Sequence, residues 1–196
     1  GYVAFASMIN ALGTTATAAH AIANTAESAF YIPGYGMQTA AATLTGNCYG
    51  ARDKARMKRI SRMMILLEIA LMICSGSALF LGAERLMRLF TADEAVIALG
   101  TRVLRMVALS EPVYGIAIIL EGIFQGVGET KSAFVFNICG MWGVRILGTW
   151  ICLKQFGLGL TAAWGCMIAH NIVLGALLLT RYLRGRWNPL NRAEVE

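Results

Sequence analysis

Charge is what this sequence has least of. Only 14% of its 196 residues are Asp, Glu, Lys or Arg, against roughly 25% in soluble domains. None of the first 51 residues is Lys or Arg, and Glu27 is the only carboxylate among them. A solvated surface cannot be built on such a scale, which excludes an ordinary soluble domain. Metal ligands are scarce as well. There are two His, and the five Cys at 48, 74, 139, 152 and 166 show no CxxC spacing, so they read as small apolar packing residues. No nucleophile stands beside a base, and Gly126-Val127-Gly128-Glu129-Thr130 is too short for a phosphate-cradling or dinucleotide loop. The chain is therefore not expected to be an enzyme or to carry a cofactor. No signal peptide with a basic start, apolar core and cleavage site is visible. The formal charge of +6 comes from basic residues set between apolar runs, not among aromatics, so nucleic acid is not expected as a partner.

What is present is apolar: 57% of the residues are hydrophobic and the mean hydropathy is +0.61. These values describe an all-α membrane protein. As one helix the start without Lys or Arg, 1–51, would be about 75 Å long, more than twice the roughly 30 Å hydrocarbon core. It must turn once, and Gly13-Thr14-Thr15 is the best place. The spacing predicts six transmembrane helices at 2–12, 17–44, 63–81, 96–125, 133–153 and 158–180. Because Gly1 already lies inside an apolar run and no initiator Met precedes it, the first helix is expected to be truncated. Residues 82–94, with Leu86, Met87, Leu89 and Phe90 among charges, are expected to lie at the interface. Residues 1–187 would form the membrane lobe and 188–196 a cytoplasmic tail. Eleven basic residues fall in 52–62, 126–132 and from 181 onward, and three in the opposite connections. The positive-inside rule then places the C-terminus in the cytoplasm, with the chain in the cell (inner) membrane.

Polar residues inside the spans are the candidate site. At 100° per residue His20, Asn24, Glu27, Tyr31 and Gln38 fall at about 0°, 40°, −20°, 20° and 0° on the second helix. A narrow polar stripe in lipid faces either a cavity or a packed neighbour, and a charge at the bilayer centre costs roughly 2.5 to 3.5 kcal/mol. Glu27 can serve as a proton or cation carrier, or remain neutral or paired throughout. Pro33-Gly34, and Pro112 in the fourth helix, are candidate hinges or static kinks. On the fourth helix Glu111, Tyr114, Glu121 and Gln125 share an arc of about 80°, with Glu111 the better functional candidate. In the fifth, Asn137, Met141 and Arg145 recur at i+4. A buried Arg145 needs an acidic partner, which Glu111 or Glu68 can supply, either in a structural pair or in a cavity. His170 fits packing better than a ligand role, and the ten Met residues fit a core or an adaptable pocket.

Ala19-His20, Pro33-Gly34-Tyr35-Gly36, Gly46 and Gly50-Ala51-Arg52-Asp53 resemble the eighth helix and following loop of the multidrug and toxic compound extrusion (MATE) family. Gln125 to Lys131 resembles the family's turn between helices ten and eleven. Gly157-Leu158-Gly159, Trp164 and Arg184-Gly185-Arg186-Trp187 resemble the twelfth helix and its end. The resemblance implies the C-terminal six-helix lobe of a twelve-helix antiporter, whose N-terminal lobe would be its partner. Such proteins export drugs, organic cations and other amphiphiles in exchange for protons or sodium ions. The residues depart from the family's sodium site, since 2–12 has no carboxylate and Tyr114 stands where an acid is expected. Two other readings are open: a related flippase for lipid-linked oligosaccharides, with a cationic cavity around Arg145, Arg105 and Arg102, and a non-transporting membrane scaffold.

Overall fold

The computed structural model describes residues 1–191, and among them regular structure is helical. A short helix α1 (Tyr2–Asn10) leads into α2 (Thr14–Gly50) and α3 (Lys54–Phe90), followed by α4 (Glu94–Gly126). After these come α5 (Thr130–Gln155) and α6 (Leu160–Leu183), and a 3-10 turn at Pro189–Asn191 ends the described chain. The boundaries follow local chemistry. Gly13 turns the chain between α1 and α2 at φ 102°, a value that L side chains resist. Asp53 accepts from the Arg56 backbone N–H at 2.9 Å, and Asp93 from that of Ala95 at 2.9 Å, so a carboxylate caps each of the next two helices.

By length and apolarity α3, α4, α5 and α6 qualify as membrane-crossing helices. At 37 residues α2 is long enough, but its Thr, Asn, Gln and Glu side chains dilute its hydropathy. Residues 82–90 correct an expectation. They do not form a separate interfacial helix but continue α3 to Phe90. The reason is packing, because Leu79, Ala83 and Met87 recur at helical spacing and are buried in the core. Nor does the tail begin as a free segment. Asn188 is buried, and Asn191 donates from Nδ2 to the Gly185 carbonyl at 2.9 Å. Residues 192–196 of the expected tail lie outside the described residues.

Helix α4 is the central post and packs against α2, α3, α5 and α6. Its approach to α2 depends on small residues: a Cβ on Gly122 would strike the Gln38 carbonyl, and one on Gly126 the Thr45 hydroxyl and the Ala42 carbonyl. Two apolar clusters fill the bundle. One joins Phe5, Ala19, Leu79, Leu104 and Trp164 at the α1 end. The other joins Met57, Ile119, Phe124, Leu178 and Trp187 at the opposite end. Between them lies a belt of buried polar groups: Glu27, Glu68, Glu111, Arg145, His170 and Asn171. Outside, Leu66, Leu109, Phe134 and Trp150 remain exposed, as side chains facing lipid would be. Helix α5 is the irregular one, π-helical over Gly140–Ile146 and Ile151–Gln155.

Candidate functional site

A cavity of about 130 Å³ opens within the polar belt between α2, α4, α5 and α6. Helix α2 presents Asn24, Glu27, Tyr31 and Tyr35 to it, a run of about three turns. Helix α4 adds Tyr114 and Glu121, α5 adds Asn137 and Arg145, and α6 adds His170 and Asn171. The sequence stripe is thus a cavity wall over its middle part. Glu27 is 4% exposed and interacts electrostatically with Arg145 and Glu111. Arg145 sits in the first π-helical stretch, with its guanidinium carbon 4.2 Å from the Phe5 ring centroid and 5.2 Å from that of Tyr2. These cation–π contacts take the place of an ion pair. Among the described residues no carboxylate lies within ion-pair distance of Arg145. The expected pairing of Arg145 with Glu111 or Glu68 is therefore not formed.

Tyrosines make up the other side. The Tyr35 and Tyr114 hydroxyls are 3.0 Å apart, and Tyr31 stands edge-on to both rings, at 5.5 Å and 6.1 Å between centroids. Tyr114 fills the place where the family resemblance led us to expect an acid. Asn137 donates from Nδ2 to Glu121 Oε1 at 3.4 Å, which ties α5 to α4 across the cavity. His170 is 3% exposed and neither ring nitrogen has a partner. Gly140 makes room for it, since a Cβ there would lie 2.5 Å from His170 Cδ2.

Three expected site residues lie elsewhere. His20 is half-buried against the apolar cluster: its Nδ1 accepts from Trp164 Nε1 at 3.2 Å, and the Phe5 and Trp164 rings stand edge-on to it at 5.8 Å. Gln38 is taken up by the α2–α4 contact, with its carbonyl and Cγ against Gly122. The stripe from His20 to Gln38 extends about 27 Å along the helix, longer than the cavity is deep. Glu111 does not line the cavity either, because one edge of the 80° arc on α4 faces α3 while Tyr114 and Glu121 face α5 and α6. The cationic cluster of Arg145, Arg105 and Arg102 is not assembled. Arg102 and Arg105 line a separate surface groove, where Arg105 lies 5.7 Å from the Phe80 ring centroid. Pro33 and Pro112 lie inside helices that continue through them. Near Pro33, the Ser75 hydroxyl of α3 donates to the Phe30 carbonyl at 2.6 Å, as neighbouring side chains do where a proline interrupts the ladder. Sequence reasoning underrated His170 and left out Tyr35. The i+4 spacing of Tyr31 and Tyr35 was the available signal for the latter.

Comparison with known proteins agrees with this architecture. The MatE family model matches residues 1–151. A probable multidrug resistance protein NorM of Thermotoga maritima is 29% identical over 187 residues, covering 95% of this chain and 40% of that protein. A multidrug export protein MepA of Staphylococcus saprophyticus is 29% identical over 145 residues, covering 73% of this chain and 31% of that protein. An outward-facing structure of a multidrug resistance MATE family transporter superposes with a TM-score of 0.88 at 17% identity, covering 94% of this chain and 41% of that one. The chain thus spans about 40% of the length of the first of these relatives. With the family model matched over three quarters of its residues and the helical bundle shared, the chain belongs to the MatE family of membrane transporters.

Proposed function

We propose that this chain supplies part of the transport pathway of a cation-coupled multidrug antiporter. In this reading it exports drugs, organic cations and other amphiphiles in exchange for protons or sodium ions, and works against an N-terminal lobe of the same protein. The protein lies in the cell (inner) membrane with the C-terminal end of α6 on the cytoplasmic side. One observation carries the reading: Glu27 is buried on the wall of a polar cavity at mid-bundle, opposite Arg145 and with a tyrosine cluster beside it. A carboxylate held away from water, with its positive neighbour not in direct contact, can exchange that neighbour for a bound cation. The names of the NorM and MepA relatives support drugs as the cargo. Tyr31, Tyr35 and Tyr114 suit flat or cationic substrates, whose charge is attracted to ring faces. The flippase alternative called for Arg145, Arg105 and Arg102 in one cavity, and their separation favours export.

Dye efflux by the full-length protein in cells provides the test. Glu27→Gln is expected to abolish efflux driven by an imposed ion gradient while leaving dye binding within about twofold, because the amide keeps the shape and loses the exchangeable charge. Unchanged coupled efflux in this variant would remove Glu27 from the mechanism.

A further inference from the structure

Two buried carboxyls remain outside the cavity. Glu68 on α3 is 0% exposed and Glu111 on α4 is 1% exposed, and none of their four oxygens has a hydrogen-bond partner. They belong to one junction. A Cβ on Gly115, one turn after Glu111, would lie 3.3 Å from Glu68 Cγ, and one on Gly76 would lie 3.2 Å from Glu111 Cβ. Gly34 closes the junction from α2, where a Cβ would lie 2.6 Å from Glu68 Oε1. Three glycines on three helices thus make room at the junction for these two side chains, for Met72, which stands nearest Gly34 and Gly115, and for the Ala108 carbonyl beside Gly76.

The charges around them do not balance. Glu68 is the charged group that acts on Glu111, and α2 adds only Glu27, another acid. Arg145 bears on Glu27 and not on this pair. Among the described residues, the buried belt holds three carboxyls, Glu27, Glu68 and Glu111, against one guanidinium, Arg145. An uncompensated buried carboxylate is very costly, and a bound proton removes that cost without needing any ligand the site lacks.

We propose that Glu68 and Glu111 form a proton-carrying pair, separate from the cavity, that keeps the α2–α3–α4 junction closed while protonated. Loss of the proton leaves an anion with no donor, so the helices must part or admit water. Helices α2 and α4 can both yield there, because Pro33 beside Gly34 and Pro112 beside Glu111 supply no backbone N–H to their ladders. An apolar pocket of about 340 Å³ opens on the outer face along Gly76, Ala108 and Pro112, next to Glu111. Proton occupancy of the pair stands by itself. Its use as a second exchanged cation rests on the antiport reading above.

The test is infrared difference spectroscopy of the full-length protein in liposomes at neutral pH, without substrate, reading the carboxylic-acid C=O stretch. The wild-type band is expected to lose intensity in Glu68→Gln and in Glu111→Gln, and to lose all of that component in the double variant, while Glu27→Gln keeps it. Full band intensity in the double variant overturns the proposal. Should the double variant not fold, dicyclohexylcarbodiimide, which adds to protonated carboxyls in apolar sites, is applied to the wild type. An adduct on Glu68 or Glu111 in the peptide masses supports the pair, and none on either overturns it. Since neither readout involves transport, a protonated pair in a protein that does not export dye would count against the antiport reading alone.

Discussion

Polar side chains inside the bundle divide into those that are satisfied and those that are not, and the two groups predict different phenotypes. His20 has its partner in Trp164. Trp164→Phe is expected to lower stability by roughly 1 kcal/mol, because His20 Nδ1 loses its donor inside an apolar cluster, with coupled efflux retained. A thermal melt in detergent beside an efflux assay checks both parts. His170 has two unpartnered ring nitrogens on the cavity wall. His170→Phe is expected to weaken dye binding without lowering the melting temperature, since the ring is kept and no hydrogen bond is lost. Sequence periodicity could not separate these two histidines. Both stand at helical spacing among small and apolar neighbours, and only the position of Trp164, far off in the chain, decides that His20 packs.

At the level of the helix, what was legible was direction, and what was not was depth. The 3.6-residue period put Asn24, Glu27 and Tyr31 on one face of α2, and in the structure that face lines the cavity. It extended that wall to His20 and Gln38, because a period has no end of its own. Where it stops is set by Gly122 of α4, which brings the backbones together at Gln38. Gly122→Ala is expected to destabilise the bundle by roughly 1 to 3 kcal/mol, as overpacking does at a tight contact. A control change to Ala at Gly36 of α2, where a Cβ meets nothing within 4 Å, should leave the melting temperature unchanged or slightly raised. The same limit applies to Glu111. An arc of about 80° on one helix is wide enough to face two neighbours, so membership of the arc did not assign it to the cavity. Pro33→Ala restores an N–H to α2. It is expected to raise the melting temperature and slow efflux; a variant that is both more stable and equally fast would show that α2 does not bend there.

For the whole molecule, the arrangement is two apolar clusters with a polar belt between them. Its all-helical membrane character could be read from composition, but the belt could not, because Glu68, Glu111, Arg145 and His170 come from four separate helices. Orientation can be tested at this scale. In a cysteine-free background, Tyr49→Cys and Phe156→Cys stand at exposed positions near opposite ends of the bundle. The basic residues from Arg52 to Arg62 predict that the first reacts with an impermeant maleimide only after the cells are permeabilised, and that the second reacts in intact cells. The reverse pattern would invert the topology. Helix α3 has a further consequence. Its 37 residues correspond to about 55 Å of helix, against about 30 Å of hydrocarbon. Where it runs past the membrane, Arg88 is clamped by Glu84 at 3.2 Å and Glu94 at 2.7 Å. That exposed helix end, where Arg88 links α3 to the start of α4, is an epitope at which an antibody fragment can grip the transporter without touching its lipid-facing band.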